Sequence, residues 1–104
     1  MKTDYKVVRA TDPGKPDAAE LRQTMSDEGY RVYQWSDAPG TVYSSHQHPT
    51  HQSHWIISGK LELEVCDVGT FVLQPGDRDF MPAGTYHSAR VLGDESVVYL
   101  IGEL

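Results

Sequence analysis

The sequence predicts an all-β domain, a sandwich or barrel, with one short helix ahead of it. Three observations carry this. Short alternating or apolar stretches recur from Tyr30 onward; Gly- and Pro-rich turns separate them at regular spacing; and helical periodicity occurs only once. Residues 1–16 read as an extended arm, with Val7 and Val8 apolar and a turn expected at Asp12-Pro13-Gly14. A helix is expected over about 17–28. Asp17 can cap it, Glu20 completes a capping box, Ala18, Leu21 and Met25 share one face, and Gly29 closes it. The strands follow as 31–35, 41–45, 54–57, 60–65, 70–73, 79–81, 88–92 and 97–101. The clearest is Lys60 to Val65, which sets Leu61, Leu63 and Val65 on one face and Glu62 and Glu64 on the other. The chain divides into an arm and helix over 1–29 and a barrel over 30–104.

Composition limits the function classes. At 104 residues, 38% hydrophobic and 23% charged, the chain has room for one packed core. A formal charge of -6 without basic runs excludes a nucleic-acid partner, because phosphate binding needs a basic face. No apolar stretch is long enough to cross a bilayer, so no membrane partner is expected. Residues 1–6 lack the apolar core of a secretion signal, so the cytoplasm is the expected compartment. The single cysteine, Cys66, cannot form an internal disulfide and reads as structural.

The histidines carry the chemical signal. His46, His48, His51 and His54 crowd together, while His87 stands far downstream behind the Pro82-Ala83-Gly84 turn. Two imidazoles two residues apart on a strand point to one face and can reach one ion. The run Gly40, five residues, His46-Gln47-His48, three residues, Gln52, six residues, Gly59 resembles the first motif of the cupin superfamily. Gly76, five residues, Pro82-Ala83-Gly84, two residues, His87 resembles the second. The resemblance implies a small single-domain cupin: a double-stranded β-helix (jelly-roll) barrel, often dimeric, with the metal-ligand positions at His46, His48, Gln52 and His87.

Two positions depart from the cupin pattern. The usual first motif has glutamate where this chain has Gln52, and the second usually ends in asparagine where this chain has Val91. Val91 falls outside the family's ligand positions. Gln52 changes the chemistry, because an amide leaves a divalent ion its full charge; some small cupins acting on uronic acid sugars look alike in using glutamine. Such an ion is held less tightly, acts as a stronger Lewis acid and favours an anionic ligand. At ~4 Å and an effective dielectric of about 20, each unit charge pair is worth roughly 4 kcal/mol before desolvation.

The expected cofactor is therefore a divalent transition metal, with zinc, nickel, manganese, iron and copper all compatible. The function expected is metal-assisted proton transfer or isomerisation on a small anionic metabolite, a sugar acid or keto acid. His54 is the candidate catalytic acid or base, with a satisfied cavity histidine as the other reading. Two alternatives stay open: a non-catalytic metal- or ligand-binding sensor, and a metal-dependent dioxygenase. His51 reads as a loop residue at the mouth. Tyr43, Trp55, Tyr86 and Tyr99 read as packing or interface aromatics, and Phe80, Met81, Ile56 and Leu63 as cavity or core. Arg78 and Arg90 are cations able to reach an anion. A homodimer is expected by resemblance, with Val7 and Val8 pairing across subunits.

Overall fold

A computed structural model describes residues 4–11 and 14–104; the expected turn at Asp12-Pro13-Gly14 rests on residues outside that set. The elements are β1 (Lys6–Val8), α1 (Ala18–Asp27), β2 (Arg31–Asp37), β3 (Val42–His46), β4 (Gln52–Ser58), β5 (Lys60–Val65), β6 (Gly69–Leu73), β7 (Arg78–Phe80), β8 (His87–Leu92) and β9 (Val97–Glu103). They form two antiparallel sheets, ordered β1-β7-β4-β9-β2 and β3-β8-β5-β6. The all-β expectation holds, and so does the short helix.

Period-2 alternation joins the two sheets. Leu61, Leu63 and Val65 of β5 are buried with Leu73 and Val91 of their own sheet and with Ile56, Val97 and Tyr99 of the other. Glu62 and Glu64 take the opposite face, as the alternation requires. The chain passes from the five-stranded to the four-stranded sheet between β4 and β5 at Gly59, where φ is +79°. A Cβ there would lie 2.5 Å from the Ser96 carbonyl oxygen and 2.7 Å from Val97 Cα, so only glycine fits the crossing.

The outer face of the five-stranded sheet is covered by α1. The Asp17 side chain accepts from the amides of Ala19 and Glu20, and the helix buries Met25 completely against Ile57 and Leu100. Ala18 and Leu21 pack on the same cluster. The molecule is thus three layers: four-stranded sheet, five-stranded sheet, helix. No described helix is long and apolar enough to cross a membrane.

β1 pairs with β7 of its own chain, Val7 opposite Asp79 and Val8 opposite Arg78, and forms the edge of its sheet. The adjoining turn recruits it. Asp77 Oδ1 accepts from the Ala10 amide at 2.8 Å, and Oδ2 accepts from the Gln74 amide and the Arg9 guanidinium, both at 2.9 Å. Burial would raise the Asp77 carboxyl, but these donors outweigh it and hold it below the ordinary carboxylate value.

Because the folded value is depressed, the Asp77 contribution is complete above about pH 4 and is lost as pH falls through the folded value. Asp77→Asn, which replaces one acceptor oxygen by a donor, is expected to cost about 1–3 kcal/mol at neutral pH. Urea denaturation at pH 7 and pH 3 should show the gap between wild type and variant narrowing at the lower pH.

Candidate metal centre

One end of the space between the sheets is polar. A cavity of about 270 Å³ opens there, with His46, His48, Gln52, His54, His87 and Glu103 among its lining residues. Residues of β2, β3, β4, β5, β8 and β9 all contribute.

Register places the imidazoles. His46, the last residue of β3, lies directly opposite His87, the first residue of β8. Their rings are 4.3 Å apart, and the His48 ring lies 4.8 Å from His46 and 5.3 Å from His87. The sequence placed His46 and His48 together on a strand. Instead β3 ends at His46 after an irregularity in its pairing, and His48 reaches the cluster from the connection to β4. The His48 carbonyl accepts from the Gly84 amide at 2.8 Å, tying that connection to the Pro82-Ala83-Gly84 turn that precedes His87.

The ring nitrogens are sorted by the backbone. His46 Nδ1 donates to the Ser44 carbonyl at 2.6 Å, and His87 Nδ1 donates to the Thr85 carbonyl at 2.9 Å. Nε2 is then the lone-pair nitrogen on each ring. Burial pushes His87 down to about 4; the Thr85 carbonyl opposes this, and repulsion by His46, His54 and His48 reinforces it. Burial and then repulsion by His46 and His54 also lower His48, with Glu103 acting the other way. Neutral imidazole is the form that binds metal.

The donor set fits a divalent ion. Ligand atoms of His46, His48 and His87 all lie within 4.8 Å of one another. Two nitrogens sharing one ion at about 2.1 Å each can be at most about 4.2 Å apart, so the three rings would have to draw slightly closer to hold one ion together. Gln52, buried at the start of β4, faces the same cavity.

Glu103 is the residue that sequence reasoning missed. It lies directly opposite Gln52 in the β4–β9 register, and its Oε1 accepts from Gln52 Nε2 at 3.0 Å and from the Tyr33 hydroxyl at 3.2 Å. The amide nitrogen is thereby turned to the carboxylate, leaving Oε1 of Gln52 as the other terminal atom. A carboxylate therefore stands directly behind the expected neutral ligand set. β9 runs two residues past its expected end at Ile101, and the alternation Tyr99, Ile101, Glu103 was the available signal.

His54 also faces the cavity, because β4 begins at Gln52 and the two share parity. Its Nδ1 donates to Asp79 Oδ1 at 2.9 Å, and its backbone amide donates to the same oxygen at 2.7 Å. Asp79 is fully buried and accepts from the Tyr5 hydroxyl on Oδ2 at 2.9 Å. Burial pulls the His54 value down, but the Asp79 charge and hydrogen bond outweigh it and the net shift is upward.

Other expectations are revised. His51 is exposed, accepts from the Ala83 amide, and lines no part of this cavity. Arg78 lies between Trp55 and Phe80 and pairs with Glu28, while Arg90 pairs with Glu62; neither lines the cavity, since both project from outer faces. Phe80 accordingly packs beneath Arg78, whereas Ile56, Leu63 and Met81 are core. Tyr43 and Tyr99, expected as packing aromatics, line the cavity, Tyr99 while also packed in the core.

Comparison with known proteins identifies the fold. A family model described as a cupin domain matches residues 33–102. Oxalate decarboxylase OxdC of Bacillus subtilis (strain 168) is 36% identical over 67 residues, covering 60% of this chain and 17% of that protein. The chain therefore spans under a fifth of that curated relative. Among solved structures, KdgF from Halomonas sp. aligns with a TM-score of 0.61 at 27% identity, covering 71% of this chain and 68% of that one. A chain from the crystal structures of the DMSP lyases RdDddP and RnDddQII aligns with a TM-score of 0.66. Its identity is 24%, over 71% of this chain and 37% of that one, a likeness of fold.

Asp79→Ala would leave the Tyr5 hydroxyl, the His54 amide and the His54 ring without their common acceptor. Its expected cost is about 3 kcal/mol or more, against about 1 kcal/mol for Tyr5→Phe, both read from urea denaturation midpoints.

Proposed function

The chain belongs to the cupin domain family, and on that premise we propose that it is a divalent-metal protein that isomerises a small carboxylate metabolite, a sugar acid or keto acid, by proton transfer. The observation that supports this reading is the convergence of three ring nitrogens within 4.8 Å at the end of a cavity, two of them oriented by backbone carbonyls. His46, His48, His87 and the Gln52 amide oxygen would hold the ion, and zinc, nickel, manganese, iron and copper all suit that set. A divalent ion bound there supplies positive charge that polarises a substrate oxygen and offsets negative charge developing beside it.

The chain's own residues supply the rest. His54 keeps a proton on Nδ1 toward Asp79, so Nε2 is the atom that takes or gives a proton in the cavity. Among the described residues no lysine or arginine lines the cavity, so the charge of a bound carboxylate is answered by the metal. Similarity to oxalate decarboxylase OxdC, whose namesake substrate is a small carboxylate, supports the ligand class. The open mouth, with Tyr33 and Trp35 exposed at its rim, favours a second reading as a binding module without turnover.

Purified protein is expected to carry about one equivalent of divalent metal by elemental analysis and to turn over a member of a sugar-acid and keto-acid panel. A metal-loaded sample inert across the panel, yet raised in melting temperature by one member, would establish the binding module instead. His87→Ala is expected to weaken metal binding by more than about 100-fold, and Glu103→Leu, which frees the Gln52 amide to rotate, by roughly tenfold. Calorimetric titration of the metal-free protein checks both. Homodimerisation, expected by resemblance, would be read by light scattering as twice the 11.6 kDa chain mass.

A further inference from the structure

We propose that the mouth of this cavity selects a monocarboxylate carrying a six-membered ring, with the carboxylate toward the imidazoles and the ring laid against Trp35 and Tyr43. The inference rests on the metal-site reading above and adds the ligand's shape and charge to it.

The observation behind it is a set of aromatic side chains held in place around one carboxylate. Asp37, at the end of β2, is buried to 8% exposure. Its Oδ1 accepts from Tyr43 Oη at 2.6 Å and from Trp35 Nε1 at 3.1 Å, and its Oδ2 accepts from Tyr99 Oη at 3.0 Å. Trp35 Nε1 also lies 3.4 Å from Tyr43 Oη. Three strands thus deliver their aromatic residues to a single acceptor. If the network served stability alone, it would bury these rings. Trp35 remains 48% exposed at the cavity rim.

The hydrogen bonding has a chemical consequence. The polar ends of Trp35, Tyr43 and Tyr99 are occupied by Asp37, so what these lining residues offer the cavity is ring carbon rather than donors. Ring faces recognise flat carbon surfaces, either an aromatic ring or the C–H face of a sugar ring. Because the carboxylate holds them in place beforehand, binding does not have to immobilise them.

Charge and size narrow the ligand further. The cavity is lined by Glu103 and, among the described residues, by no lysine or arginine, so nothing in the wall would balance a second carboxylate. A volume of about 270 Å³ equals roughly nine waters at about 30 Å³ each, which is room for one ring with its substituents. Small dianions such as oxalate leave the aromatic wall unused.

The test uses the full chain loaded with one equivalent of Zn²⁺ and titrated calorimetrically with D-galacturonate, benzoate, acetate and oxalate. At least one ring acid is expected to bind about tenfold more tightly than acetate and oxalate, and the galacturonate and benzoate arms tell a sugar face from an aromatic one. Trp35→Ala is expected to reduce that ring acid to the affinity of acetate without changing Zn²⁺ binding, and Trp35→Phe to keep most of the preference. Equal affinity for ring acids and acetate, no ring-acid binding by Zn²⁺-loaded protein, or a preference that survives Trp35→Ala would overturn the inference and leave the metal site standing. Failure of the wild-type chain to bind Zn²⁺ at all would overturn both.

Discussion

The site depends on the register that locks β4, β9 and β2 side by side. Gln52 faces Glu103, His54 faces Ile101 and Ile56 faces Tyr99 across one seam; Tyr33 faces Ile101 and Trp35 faces Tyr99 across the next. Side chains alternate with a period of two, so this pairing sends Gln52, His54 and Ile56 inward and leaves Ser53, Trp55 and Ile57 for the helix side. A slip of one residue would exchange those sets and place the polar cluster under α1. The apolar core at one end of the sandwich and the polar cavity at the other are read from the same strands, and neither can move without the other.

Polar groups inside such a sandwich are tolerable only when they are paired, and the pairing also fixes the site. Among the described residues no buried side-chain nitrogen or oxygen lacks a partner. Three carboxylates do most of this. Asp79 holds His54 and Tyr5, Glu103 holds Gln52 and Tyr33, and Asp37 holds Trp35, Tyr43 and Tyr99. Each carboxylate holds at least one residue that faces the cavity, so interactions required for burial also orient the walls before any ligand arrives.

The three clustered imidazoles follow another rule. His46 and His87 have Nδ1 bonded to backbone carbonyls, and among the described residues no carboxylate bonds to the rings of His46, His48 or His87. Burial and mutual repulsion disfavour protonation of His48 and His87. His54 differs because a fully buried carboxylate stands beside it. One cavity thus holds imidazoles biased toward ligation and one imidazole biased toward carrying a proton.

The sequence alone settled what depends on short-range periodicity and turn chemistry. It indicated the all-β class, the helix capped by Asp17, the β5 alternation and the grouping of His46, His48, Gln52 and His87 through two spaced motifs. It did not show Glu103, Asp37 or Asp79, because an isolated acidic residue looks the same in sequence whether it is solvated or buried against a tyrosine from a distant strand. Tertiary structure decided that β9 continues to Glu103, that β1 closes on its own β7, and that Arg78 and Arg90 stay outside. Those outcomes depend on long-range register and on which sheet face each strand presents. Local spacing does not encode them, since they exist only once the two sheets have met.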